Sequence, residues 1–347
     1  MRTCAKFVLV VGLVCSVAAC GSGDSATCDD PGIGCDVELD PPEVGHQIIV
    51  GPHPVPDGTE VLRCFWTKVP EDLDVTEIEV KYNSGSHHLD IFTVDYQMPD
   101  GDFDCSKPEE WGAWPSEIER GLDPESAMPT ILVGFQNDTV SWKLPDGVSY
   151  RVPAGQQLMI QSHFANVASQ DTATARLYDI INFHAAAAPT AHAAETLFDE
   201  DFDIFLPAHQ ETSVTRICEF PEEVNLIALF GHFHSRGVSH NVWTWDPATQ
   251  TTGEMIYESL DWDDPPFYVA GDHWAQPMAT TGIKMTATWN NFENRDIVWG
   301  NYVEQNEHFE TYAFFYPYLG LNWGCVCHRE GEPFPGEDED GNCPKTL

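Results

Sequence analysis

From His46 onward the chain alternates between short apolar runs and clusters of Pro, Gly, Asp and Asn. TEIEVKY (76–82), LDIFTVDY (89–96), TVSWKL (139–144), QQLMIQSHF (156–164), NLIALFGHFH (225–234), KMTATWNN (284–291) and TYAFFYPY (311–318) are strand-length, rich in β-branched and aromatic residues, and close to period two. Sustained helical periodicity is missing, apart from one possible turn in PEEWGAWPSEIERG (108–121). Many short strands with evenly spaced turn signals predict an all-β protein built from antiparallel sandwiches or jelly rolls.

The 347 residues exceed one ordinary domain and suit two. AAAAPTAHAAE (Ala185–Glu195) is rich in small residues and sits near the middle, so the boundary is expected there: one domain over 46–188, a second over 189–330, and an acidic tail over 331–347. Residues 21–45, rich in Gly, Ser, Asp and Pro, read as a flexible tether with one small Cys28-to-Cys35 loop.

Residues 1–20 read as a secretory signal: basic Arg2 and Lys6, an apolar Phe7–Val17 stretch, then VAAC. That ending resembles a bacterial lipobox, so Cys20 is the expected lipidation site and Gly21 favours the outer membrane. The apolar stretch is too short for a stable span. The expected location is outside the cytoplasm, with the membrane touched only through the lipid.

Sixteen basic against 56 acidic residues give a formal charge of −40. Such a surface repels nucleic acid and anionic headgroups, which excludes both as partners. Beyond Cys4, Cys15 and Cys20, eight cysteines remain (28, 35, 64, 105, 218, 325, 327 and 343), an even number that reads as disulfides in an exported chain.

The candidate chemistry lies in histidines. His87 and His88 open an apolar strand after a Ser-Gly-Ser turn. Along QQLMIQSHF, Leu158, Ile160, Ser162 and Phe164 share one face, and Met159, Gln161 and His163 the other. Along VNLIALFGHFH, period two places Leu226, Ala228, Phe230, His232 and His234 on one side, which sets two imidazoles side by side as a strand must to give one metal two ligands. Imidazole suits Cu, Zn, Fe and Ni alike, so the spacing names no metal. His308 precedes the last apolar strand.

Taken in order, HH before an apolar strand, QSHF about 75 residues on, HFH about 70 further, and NEHFETYAFFYP near the end resemble the copper type II, ascorbate-dependent monooxygenases. These include the peptidylglycine α-hydroxylating and dopamine β-monooxygenases. The resemblance implies two tandem jelly-roll domains with a solvent cleft between them and two coppers per chain. His87, His88 and His163 would hold the electron-transfer copper, and His232 and His234 the copper that meets dioxygen. It also implies a Cys64–Cys105 disulfide, and a second between Cys218 and either Cys325 or Cys327. Where the family has a methionine ligand in EMC, this chain has EHF, so His308 stands in the thioether's place; Met285, in IKMTATW, is the other nearby candidate. A third imidazole favours Cu(II) and Zn(II) over Cu(I).

Phe230 replaces an arginine that grips a peptide carboxylate in the amidating relatives, Glu310 replaces an asparagine, and Tyr312 matches a tyrosine near the substrate and is the candidate catalytic side chain. Peptide amidation is therefore not expected, and an apolar, aromatic or cationic small molecule fits better. The implied activity is hydroxylation of a C–H bond with O2 and a reductant such as ascorbate. The alternative is a non-catalytic copper or zinc lipoprotein with an all-histidine second site. A third reading, a zinc hydrolase on His232, His234 and His308 with Glu310 or Glu307 as general base, lacks the HExxH signature.

Overall fold

The computed structural model of the protein describes residues 37–56, 58–82, 86–94, 99–105, 130–136, 139–166, 174–300, 302–321 and 326–332. The expected signal, Cys20, Cys28, Cys35, Cys325, Cys343, the 108–121 stretch and most of the tail lie outside them. Among the described residues there is no helix; the expected all-β, antiparallel sandwich architecture is what the chain adopts.

The first half supplies β1 (Gly45–Pro56), β2 (Thr59–Lys68), β3 (Leu73–Tyr82), β4 (Ser86–Val94), β5 (Gly101–Asp104), β6 (Thr130–Phe135), β7 (Thr139–Lys143), β8 (Val148–Val152), β9 (Gln157–Asn166), β10 (Thr174–Ala185) and β11 (His192–Ala193). They form two sheets, β1-β10-β3-β8-β11 with β7 on β3, and β5-β2-β9-β4-β6. Period two decides the core: Leu62, Cys64 and Trp66 of β2 point inward, as do Leu158, Ile160 and Phe164 of β9. Because β11 pairs with β8, the first half's sheets run past the expected boundary at 188.

The second half supplies β12 (Glu195–Glu200), β13 (Phe205–Leu206), β14 (Gln210–His232), β15 (Gly237–Asp246), β16 (Thr251–Ser259), β17 (Tyr268–Val269), β18 (Met278–Asn291), β19 (Ile297–Val298), β20 (Glu310–Tyr316) and β21 (Cys327–Arg329). An eight-stranded sheet, β12-β20-β14-β18-β15-β16 with β17 and β21 on β14, packs with a two-stranded β13-β19 ribbon. Disulfides join Cys64 to Cys105 and Cys218 to Cys327. The alternative left open by the resemblance thus falls to Cys327, not Cys325, because β21 pairs with β14 and sets Cys327 directly opposite Cys218.

The halves do not stand apart. Ile227, Ala228, Phe230, Tyr312 and Phe314 of the second half belong to the hydrophobic core that the first half builds. Phe314 lies edge-on to Trp142 at 4.9 Å, and Phe267 to Phe135 at 5.6 Å. An apolar interface of this kind holds two units in one arrangement, whereas a polar or wet one permits relative motion. His88, His163, His232, His234 and His308 are all buried where the two halves meet.

A bulge in β14 matters here. Its register against β20 slips between Leu226 and Ala228. Leu226 then faces the second half's own core, while Ile227, Ala228 and Phe230 all reach the seam. The expected single face from Leu226 to His234 is therefore broken at Ile227: a bulge adds one residue and reverses the alternation.

Candidate metal centre

β14 carries His232 to the seam and ends there; His234 sits on the exit turn and His308 just ahead of β20, the strand that pairs with the end of β14. Their ring centroids are 5.2 Å (His232–His234), 5.5 Å (His232–His308) and 4.4 Å (His234–His308) apart. One donor atom from each lies within 4.8 Å of the other two, and all three residues are buried.

The outer nitrogen of each ring is engaged. Gln136 donates from its amide nitrogen to Trp262 O at 2.7 Å and Asp263 O at 3.2 Å, which turns its oxygen toward His232. His232 Nδ1 therefore donates to Gln136 Oε1 (2.8 Å). His234 Nδ1 donates to Asn306 O (3.1 Å). His308 Nδ1 lies 2.9 Å from Glu310 Oε1, an ionic contact off the line of a hydrogen bond. An imidazole whose Nδ1–H is held outside presents the Nε2 lone pair, as in ligating histidines with a supporting acceptor. His308 Nε2 is buried and has no hydrogen-bond partner. Three imidazoles so grouped can each turn one ring nitrogen to a single metal ion.

Glu307 clamps the same corner. Its carboxylate accepts from the backbone N–H of His234 (3.0 Å) and of Arg236 (2.9 Å), and it is the residue before His308. It thereby joins the two ligand-bearing segments. Arg236 in turn donates to the carbonyls of Val303, Glu304 and Asn306, and pairs with Glu293. Gly231 is required by close approach: a Cβ there would stand 2.2 Å from His240 Nδ1.

The first half contributes a second group. His163 sits on the β9 face opposite Leu158, Ile160 and Phe164 and is itself buried. His88, on the neighbouring β4, has its ring centroid 4.9 Å from that of His163 and 5.1 Å from that of His232. His88 Nδ1 donates to Asp90 Oδ2 (3.0 Å), and His163 Nε2 to Glu60 Oε1 (2.6 Å). His87 lies in β4 by its backbone; its side chain lies outside the described part of the structure.

Burial pushes the His163 imidazole down to about 4. Burial also acts against charge on His88 and His308, but the carboxylates of Asp90 and Glu310 outweigh it and hold both rings above the ordinary histidine value. Burial pushes the Glu200 carboxyl up to about 8, with Glu310 adding to the shift, and the Glu307 carboxyl to about 7 against the pull of Arg236.

Tyr312 reaches the site one layer out. Its hydroxyl is 3.1 Å from Asp90 Oδ1 and 2.9 Å from Glu310 Oε2, so it links the carboxylates behind His88 and His308 across the seam. Gly134 leaves room for this contact, because a Cβ there would meet Asp90 at 2.3 Å and Tyr312 at 2.6 Å. Burial and the two carboxylates raise the phenol well above its usual value, which keeps it a neutral donor. Glu310 and Glu307, the general bases considered for a hydrolase, are both committed to neighbours, and Met285 is buried in the second half's core, opposite Arg216 and Val242 in the sheet. Glu60, Asp90, Gln136 and Asn306 escape sequence reading because they act from separate strands and loops; Asp90, two positions from His88 on a strand, carried the one local signal, and Glu307 entered only as a candidate base, not as a clamp.

No protein-family model and no curated protein matches the chain. Among solved structures, the VP2 subviral particle of infectious bursal disease virus is similar at 8% identity and TM-score 0.21, over 82% of this chain and 75% of that one. The structure of the Gx strain of the same virus is similar at 9% identity and TM-score 0.17, over 80% and 79%. Likeness this slight carries no argument about function.

Proposed function

We propose that the protein is a copper-dependent monooxygenase of the ascorbate-dependent type it resembles, exported and anchored by lipid at Cys20. The observation that carries this reading is the buried convergence of His232, His234 and His308, with His88 and His163 beside them across the seam. Copper held there would supply dioxygen activation and hydroxylation of a C–H bond in a small organic substrate, with electrons from a reductant such as ascorbate.

The chain's own residues supply the rest. The imidazoles bind; Gln136, Asn306 and Glu310 orient them from behind. Phe230 and Phe309, both buried, exclude water around the ligand-bearing strands, and desolvation strengthens the electrostatics within. Tyr312 holds its proton between Asp90 and Glu310. With Phe230 in the seam and Glu310 turned to His308, no cation awaits a peptide carboxylate at these positions, which favours an uncharged or cationic substrate.

His308 favours one second reading, a non-catalytic copper or zinc protein, since three imidazoles bind Cu(II) and Zn(II) well without thioether softness. Two measurements separate them. Metal analysis with EPR of the Cu(II) form should count two coppers, one in an all-nitrogen field that His232→Ala abolishes. Oxygen uptake with ascorbate then favours the enzyme. Tight loading without uptake, in wild type and in His308→Met alike, favours the binder, and one copper or none per chain refutes the two-site reading.

A further inference from the structure

Behind the three imidazoles lies a second donor set, in which Glu200 joins Glu310 and His308. Glu200 ends β12, Glu310 opens β20, and the two are directly paired across the sheet. With His308 they place one donor atom each within 4.8 Å of one another. Asp90 approaches the same group through the Tyr312 hydroxyl. Like charges directly opposite on a sheet destabilise it, and buried carboxylates without compensation cost several kcal/mol. Among the described residues no lysine or arginine pairs with Asp90, Glu200 or Glu310; the recorded ion pairs are His88–Asp90 and His308–Glu310. Apart from these two imidazoles, no side-chain cation pairs with the three carboxylates among the described residues.

His308 supplies the independent sign of a ligand. It is 4% exposed, and neither ring nitrogen makes a hydrogen bond. Its Nδ1 nevertheless stands 2.9 Å from Glu310 Oε1, out of line for donation. Two adjacent ligands on one ion, with bonds of about 2.1 Å, stand about 3 Å apart without any such alignment. The carboxylates are also held from outside. Trp299 Nε1 donates to Glu200 Oε1 at 2.6 Å, and the Tyr312 hydroxyl lies on Glu310 Oε2. One oxygen of each is thus anchored, as in carboxylates oriented to act as ligands.

We propose that Glu200, Glu310 and His308 form a second cation position, for a small divalent ion that takes mixed oxygen and nitrogen donors, of the Mn2+ or Zn2+ class. His308 bridges it to the three-histidine position through its two ring nitrogens, giving up its ring proton to solvent. The cation site stands on its own donors; the bridge rests on the metal reading of His232, His234 and His308.

Titration of the metal-free chain with Mn2+, followed by EPR of the free ion, tests the site. One Mn2+ per chain is expected, with affinity at least about tenfold lower in Glu200→Gln and in Glu310→Gln, each checked for a native melting transition, and unchanged in His232→Ala. No uptake, or uptake indifferent to both carboxylate variants (the weak ion cloud of an acidic surface), overturns the proposal. In copper-loaded protein, Mn2+ should attenuate the Cu(II) signal that His232→Ala removes; a signal untouched by bound Mn2+ overturns the bridge. Absence of any His232-dependent copper would strike the three-histidine reading instead and leave the Mn2+ titration to decide the carboxylate site.

Discussion

The two histidine groups use the same side chain and are held in different ways. In the first half both rings lean on carboxylates, His88 on Asp90 and His163 on Glu60. In the second half His232 leans on an amide oxygen and His234 on a backbone carbonyl, and only His308 meets a carboxylate. A carboxylate acceptor raises the basicity of a ligating imidazole, whereas a neutral acceptor fixes its tautomer without adding charge. Ligands of the first group would thus stabilise a higher charge on a bound ion, and those of the second would be oriented without that added polarisation. The groups also borrow from each other: Gln136 belongs to the first half and supports His232, while Val303 of the second half donates to the Glu60 that supports His163. Neither site is complete within its own half.

The largest expected effect breaks the comparison outright. His232→Ala should lower copper affinity at the second group by more than about a hundredfold and leave the first group loaded, since removing a ligand costs more than removing its support. Competition titration with a chelator, read with EPR, checks it.

Glu307→Gln comes next. It puts an amide N–H against the backbone N–H of His234 or Arg236, and should weaken the second group alone by roughly 10- to 100-fold. Glu307→Asp should recover part of the loss. A uniform fall at both groups would mean general loosening, not positioning.

Gln136→Ala and Glu60→Gln sharpen the contrast between neutral and charged support. The first should weaken the second group by about tenfold although the residue lies in the other half. The second should weaken the first group similarly and raise its reduction potential, which a spectroelectrochemical titration reads.

The smallest effect concerns a histidine that takes no part in either group. Burial pushes His240 down to about 3, below the ordinary 6.5. The unfolded chain therefore takes up this proton first as pH falls. His240 contributes its stability above 6.5 and loses it on acidification, at roughly 1.4 kcal/mol per pH unit. His88 and His308, whose values are raised, act with the opposite sign. The difference in unfolding free energy between wild type and His240→Gln, measured in denaturant at pH 6 and pH 5, isolates the His240 share.

The alternation of apolar and polar positions was enough to specify strands, because a strand buries every second residue whatever it packs against. It separated the two faces of β9 and marked the His232–His234 pair as neighbours. It did not reveal the bulge at Ile227, since register slips depend on the partner strand, β20. Nor could it choose Cys327 over Cys325, because the pairing of β21 with β14 that sets Cys327 opposite Cys218 is a tertiary contact.

What the sequence by itself determined, then, were the properties that local chemistry fixes: β structure, an acidic surface, and the five imidazoles now seen together in the seam. Only the tertiary structure decided that those imidazoles share one buried seam, that Gln136, Glu60 and Glu307 hold them, and that Glu200 comes to lie opposite Glu310. Those relations join residues far apart in the chain, 96 positions for Gln136 and His232, 103 for Glu60 and His163 and 73 for Glu307 and His234, and the ones that cross the seam exist only because the apolar faces of the two halves exclude water by closing on each other.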